Sequence, residues 1–152
     1  MKKSILIFFL AVFATLFSQA QVEDPVSWTF TAKKISPKIF ELHMTADVSG
    51  NWHIYAQNAG EGPEPTIFNF TKNPLVKLVG NTKEVGKLES AYDPNFKSTL
   101  RFYNGKVDFV QKITVKSDAN TVIKGNVSFM VCNDRRCLPP KEIPFSIKLD
   151  NK

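Results

Sequence analysis

The chain has 152 residues and a formal charge of +6, and is 43% hydrophobic, 12% aromatic and 22% charged. Those proportions exclude disorder as the main state, and the length suits a single domain. Two cysteines, two histidines and three methionines leave no room for multi-metal or haem chemistry or a dense disulfide scaffold, and lysines scattered without a basic block give no nucleic-acid footprint.

Residues 1–20 read as a secretory signal. Lys2 and Lys3 start it, residues 5–17 are almost continuously apolar, and Ser18-Gln19-Ala20 offers small residues where signal peptidase reads them. The run is short for a membrane span, and polar Gln19 and Gln21 interrupt and follow it. Cleavage after Ala20 is expected. Residues 21–152 would then form one exported, monomeric domain with no membrane span, in a compartment where disulfides persist.

The mature region reads as short strands. Residues 26–32 alternate apolar and polar side chains, as a half-buried strand does. Residues 40–48, 107–116, 123–131 and 143–149 repeat the pattern, and residues 52–56, 66–70, 75–79 and 99–103 are shorter candidates. Turn signals separate them at Ser49-Gly50-Asn51, residues 60–65, Asn73-Pro74, Gly80-Asn81, Asn104-Gly105 and residues 117–120. Asn104-Gly105 is the strongest, because both central residues of a type I′ hairpin need positive φ. No stretch carries a helical apolar stripe. The spacing predicts an all-β, immunoglobulin-like antiparallel β-sandwich.

The chemistry concentrates in Cys132-Asn133-Asp134-Arg135-Arg136-Cys137-Leu138-Pro139-Pro140. A four-residue gap lets the chain reverse and bring the cysteine Cα atoms within the ~4.4–6.8 Å of a disulfide. The pair would sit at the tip of a strand–loop–strand unit, outside the sandwich. Closing so short a loop contributes roughly 2 kcal/mol. A domain of this size builds a core without it. Placement therefore favours a bond used for chemistry over a tip staple, and both readings stand at this point. Arg135, Arg136 and Lys141 are cations of the kind that lower a thiol's pKa, partly offset by Asp134; arginines in a solvated loop also serve simply as a soluble face. Cys132, Cys137, His43 and His53 make a poor zinc set by spacing, so no metal or cofactor is expected.

The late Cys-x4-Cys followed by Leu-Pro-Pro, together with Gly50-Asn51-Trp52-His53-Ile54-Tyr55 and Gly62-Pro63, resembles the N-terminal periplasmic domain of the thiol:disulfide interchange protein DsbD. The resemblance covers roughly residues 24–149. It implies an immunoglobulin-like fold with one redox-active disulfide, Cys132–Cys137, passing electrons between thioredoxin-like domains. Its acceptors would include disulfide isomerases and cytochrome c maturation thioredoxins. It implies an aromatic cap loop at residues 91–96 with Phe96 as the cap, and Tyr55 and His53 as site lining. Pro94-Asn95 stand where the family carries an adjacent acidic pair, leaving Asp93 as the nearby acid. The family's membrane domain and thioredoxin domain have no counterpart in this sequence, so an electron donor on another chain is expected. The resemblance implies Cys137 as the sulfur held in a mixed disulfide. From the residues alone Trp52 and Tyr55, three apart on a strand, face opposite sides, one core and one exposed. The alternative from another class is a secreted immunoglobulin-like binding module with an inert structural disulfide.

Overall fold

A computed structural model describes residues 23–116 and 121–149; the signal-like segment and the turn expected at residues 117–120 lie outside the described residues. Nine strands follow in order: β1 (Val26–Ser36), β2 (Ile39–Val48), β3 (His53–Tyr55), β4 (Ile67–Phe70), β5 (Val76–Asp93), β6 (Ser98–Val115), β7 (Thr121–Phe129), β8 (Val131–Cys132) and β9 (Lys141–Leu149). One sheet has the order β1-β2-β6-β3-β8, with β5 on the other side of β6; the second has the order β4-β7-β9. All pairings are antiparallel. This is the expected immunoglobulin-like β-sandwich.

The alternation that predicted the strands also fills the space between the sheets. Phe40, Leu42, Met44, Ala46 and Val48 of β2 meet Val127, Phe129, Phe145 and Ile147 of the smaller sheet. An aromatic lattice ties the sheets together: Trp28 lies 5.9 Å from Phe68 and 5.4 Å from Phe129, and Phe30 stacks on Phe145 at 5.1 Å. Aromatic pairs of this kind contribute about 0.5–1.5 kcal/mol each beyond burial.

Three sequence expectations need correction. Residues 99–103 and 107–116 are one strand, β6, and Asn104-Gly105 is no hairpin turn. Gly105 has φ 68°, but Asn104 is not among the residues with positive φ, so the type I′ requirement fails. The pair instead belongs to a bulge with two extra residues on β6 against β5, between Gly86 and Leu88. Gly80-Asn81 likewise sits in a bulge with two extra residues on β5, opposite Gln111, so the two bulges cancel and the ladder returns to register. Buried Gln111 fills the second bulge, donating to the Val79 and Gly80 carbonyls and accepting from Thr82 Oγ1 at 2.9 Å. The true hairpin turn is Pro94–Lys97, with Lys97 at φ 53°. Finally, residues 123–131 are not one strand. The chain leaves the smaller sheet after Phe129 and enters the larger one at Val131.

The main core is built without the cysteines. Phe109→Ala, which empties a fully buried ring site, is expected to lower unfolding free energy by about 3–5 kcal/mol. Removing both sulfurs (Cys132→Ser with Cys137→Ser) should remove at most about 2 kcal/mol. Urea unfolding of the two proteins checks this; a double variant unfolded at room temperature would overturn it.

Candidate functional site

The β6 bulge marks where that strand changes neighbours. Residues 106–114 pair with β2, whereas Phe102, Tyr103 and Asn104 pair with β3. β3 in turn takes β8 on its far side, with His53 opposite Cys132 and Ile54 opposite Val131. Strand alternation sends Trp52, Ile54, Ala56 and Val131 into the main core. His53, Tyr55 and Cys132 therefore emerge on the outer face of the sheet.

Tyr55 and Cys132 do not emerge into water. Tyr55, Ala59, Leu100 and Cys132 form a second buried cluster, with Phe96, Phe102 and Met130 packed against it. Tyr55 is 1% exposed and Cys132 3%. The loop after β3 closes over this cluster by continuing the ladder: Ala56 N–H donates to the Arg101 carbonyl at 3.0 Å, and Arg101 N–H to that of Ala59 at 2.8 Å. Buried Thr66 Oγ1 donates to the Tyr55 carbonyl at 2.6 Å. Phe96 arrives from the β5–β6 turn. Asp93 shapes that turn, its Oδ1 accepting from Asn95 N–H at 2.7 Å and Phe96 N–H at 3.4 Å. The ring lies on Gly62, where an added Cβ would fall 2.2 Å from Phe96 Cδ1. Gly62 also has φ 123°, a conformation that suits glycine.

Cys132 and Cys137 are disulfide-bonded, with Cα atoms 4.0 Å apart. Asn133 N–H donates to the Arg136 carbonyl and Leu138 N–H to that of Val131, both at 2.9 Å, so the cysteines face each other as a narrow cross-strand pair. Asn133 Oδ1 accepts from the Arg135 and Arg136 amides at 2.9 Å, which fixes the turn. Cys137 is exposed while its partner sulfur's residue is buried.

The charges around the loop sort by face. Arg136 pairs with Glu23 and lies 6.0 Å from the Trp52 ring centroid; Glu23 also accepts from Trp52 Nε1 at 3.1 Å. Lys141 pairs with Asp24 at 2.5 Å. Two of the cations expected to act on the thiols are thus engaged by acids near the chain's start. A groove of about 460 Å³ opens on the outer face, lined by His53, Tyr55, Asp93 and Asp134 among others. His53 Nε2 lies 3.4 Å from the Tyr55 hydroxyl, and its ring centroid is 4.4 Å from that of Phe102. Burial holds the His53 pKa below its ordinary 6.5, against the opposing pull of Asp134 and then Asp93. Burial, and then Asp93, pushes the Tyr55 hydroxyl up to about 12.

The fold thus brings Cys132, Cys137, His53, Tyr55, Asp93 and Phe96 to one end of the outer face. Two expectations change. Trp52 and Tyr55 do face opposite sides, but both are buried, because the second cluster covers the outer one. Asp93 is not the lone acid, since Asp134 reaches the same groove. The sequence reading missed Ala59, Leu100, Phe102 and Met130 as site residues. Leu100 and Phe102 carried a signal, as even-numbered apolar positions opposite in phase to the core-facing Tyr103, Val107 and Phe109.

The sequence matches the family described as thiol:disulfide interchange protein DsbD, N-terminal, over residues 19–148. No curated protein matches it. Among solved structures it is similar to the N-terminal periplasmic domain of ScsB from Proteus mirabilis (18% identity, TM-score 0.60, 88% of this chain), of which it spans 49%. It is also similar to the Neisseria meningitidis DsbD N-terminal domain in the reduced form (13% identity, TM-score 0.58), covering 88% of this chain and 95% of that one. A third similarity is to the complex between the DsbD and PilB N-terminal domains from the same organism (10% identity, TM-score 0.51, 83% of this chain and 87% of that one). At these identities the structures share the fold.

The two acids stabilise the imidazolium, so removing either should push His53 further down. NMR titration is expected to place the wild-type His53 below 6.5, and lower again in Asp134→Asn, with Asp93→Asn giving a smaller drop. A wild-type value above 6.5 would contradict burial as the dominant cause.

Proposed function

The chain belongs to the family of the DsbD N-terminal domain, and we propose that it is a periplasmic thiol–disulfide relay module, exported by cleavage after Ala20. It exchanges electrons with thioredoxin-like protein domains through Cys132 and Cys137. The observation that carries the mechanism is the unequal burial of the two cysteines: Cys132 is 3% exposed, whereas Cys137 lies at the surface. A partner thiolate attacks Cys137 Sγ, the Cys132–Cys137 bond breaks, and Cys132 leaves as a thiolate that takes up a proton. The partner's second thiolate then attacks its own sulfur in the mixed disulfide and releases Cys137 as a thiolate. The partner ends oxidised and this chain reduced. With an oxidised acceptor the same steps run backwards. The enzyme class is a thiol:disulfide oxidoreductase-type relay whose electrons come from its partner.

Phe96 acts as the cap in this reading, with Tyr55, His53 and Asp93 lining the site. Its position in a turn supports the role, since a turn residue moves without breaking a ladder. The ring's packing on the cluster that holds Cys132 supports it further.

A redox titration tests the relay. An exchange bond should lie near thioredoxin-like potentials, about −270 mV, whereas the rival, an inert staple in a binding module, lies below about −300 mV. Cys132→Ser should trap a mixed disulfide with a reacting partner through Cys137, and Cys137→Ser should trap it far more slowly. A low potential with no trapped species would favour the binding module.

The cap has its own test. Phe96→Ala, and Gly62→Ala by displacing the ring, should each speed reduction of the disulfide by dithiothreitol several-fold. Phe96→Ala should destabilise by less than the ~3–5 kcal/mol of an emptied core site. Unchanged rates with a core-sized stability loss would make Phe96 buried structure instead.

A further inference from the structure

Resting on the relay reading, we propose that His53 is the proton acceptor for Cys132: its neutral imidazole takes the Cys132 thiol proton as that sulfur attacks the mixed disulfide on Cys137.

The need for a base follows from where the reduced thiol would sit. Cys132 is buried among Tyr55, Ala59 and Leu100, an apolar setting that favours the thiol over the thiolate. Two of the three cations in this segment are engaged elsewhere, Arg136 by Glu23 and Lys141 by Asp24, which leaves Arg135. Asp93 and Asp134 stand at the groove and oppose a second negative charge. Left alone, the resolving sulfur is a poor nucleophile at neutral pH.

His53 is placed to relieve this. It is the direct cross-strand neighbour of Cys132, and residues so paired hold their Cβ atoms ~4.5–5.5 Å apart on the same face. Tyr55 and Phe102 fix the ring: Nε2 lies 3.4 Å from the Tyr55 hydroxyl, and Nδ1 has no hydrogen bond among the described residues. The ring also lines the open groove, which gives its proton a way out. The titratable groups facing it are Tyr55 on its own strand, Glu89, Tyr92 and Asp93 on β5, and Asp134 in the cysteine loop. Burial holds the imidazole's pKa below the ordinary 6.5, which favours the neutral form that accepts a proton.

The step balances. The Cys132 S–H proton passes to His53, the Cys132–Cys137 bond forms, and the bond from Cys137 to the partner sulfur breaks. The partner leaves as a thiolate, protonated by the imidazolium or by solvent. This chain's two thiols are oxidised and the partner's disulfide is reduced.

The reduced protein mixed with 5,5′-dithiobis(2-nitrobenzoate) separates the two halves of the reaction. Attack by Cys137 releases one coloured thiolate, and attack by Cys132 on the resulting mixed disulfide releases the second. His53→Gln is expected to leave the first phase nearly unchanged and slow the second about 100-fold at pH 7, the lower end of the range for a positioned base. The deficit should close at high pH, where Cys132 ionises unaided, and added imidazole should partly rescue His53→Gly. His53→Phe, which keeps an aromatic ring on Phe102, should show the same second-phase loss. A second phase that ignores His53, or a loss that neither high pH nor imidazole repairs, overturns the proton role and leaves the relay standing. Absence of the first phase in the wild type would instead sink the relay reading itself.

Discussion

Val131 and Cys132 pair with Ile54 and His53, and this two-residue ladder decides which chemistry faces where. Because a strand has period two, Ile54 and Val131 enter the main core while His53 and Cys132 go to the outer face. A slip of one residue would exchange the sets, burying the sulfur in the sandwich and leaving a valine outside. The register is held from both sides. Ile54 is fully buried and Val131 is 4% exposed, so the apolar pair resists the slip. Leu138 N–H donates to the Val131 carbonyl from beyond, and Tyr55 N–H to that of Met130 at 3.5 Å. The crossing of the chain from one sheet to the other at Met130 is what makes this ladder available.

An outer face would ordinarily be wet, and a disulfide there would have two equivalent sulfurs. The second cluster removes the equivalence. Tyr55, Leu100 and Ala59 enclose Cys132, while the Asn133–Arg136 turn carries Cys137 out to solvent. Apolar neighbours surround the inner sulfur, and Glu89, Asp93 and Asp134 line the adjoining groove. Arg136 and Lys141, adjacent in sequence to the cysteine pair, are tied to Glu23 and Asp24. Proximity along the chain is therefore a poor guide to which charges the sulfurs feel.

That distinction also explains what the sequence could and could not reveal. The cysteine pair was legible because its geometry is local, a short gap closed by one turn. The main core was legible because β2, β7 and β9 alternate cleanly. β5 was legible only in its first residues, 76–79; a strand rich in Lys, Glu and Gly is how an exposed edge is kept from pairing with another chain, and it does not resemble a buried strand. Gly80-Asn81 and Asn104-Gly105 misled for a related reason. A glycine at positive φ marks a local backbone conformation, and that conformation serves a bulge as well as a hairpin. Nor could the second cluster be seen, because it joins residues near 55, 100 and 132 that only the assembled sheet brings together.

The two bulges also separate a firm region from a yielding one. Midway along the β5–β6 hairpin, between the bulges, Glu84 accepts from Gln57 N–H at 2.6 Å and from the Tyr103 hydroxyl at 3.0 Å, clamping the edge strand to the loop that follows β3. Beyond the β6 bulge the edge strand carries Leu88 at 49% exposure and Tyr92 at 66%, so its tip owes little to burial. Local opening is least costly where few apolar contacts are lost. The turn that holds Phe96 lies at that end, past the clamp. Displacing the ring would therefore disturb the second cluster, while the aromatic lattice between the sheets, built on β1, β4, β7 and β9, keeps its contacts. Access to the disulfide and the stability of the sandwich are in this way drawn from different sets of residues, and the ladder between β3 and β8 is the place where the two sets touch.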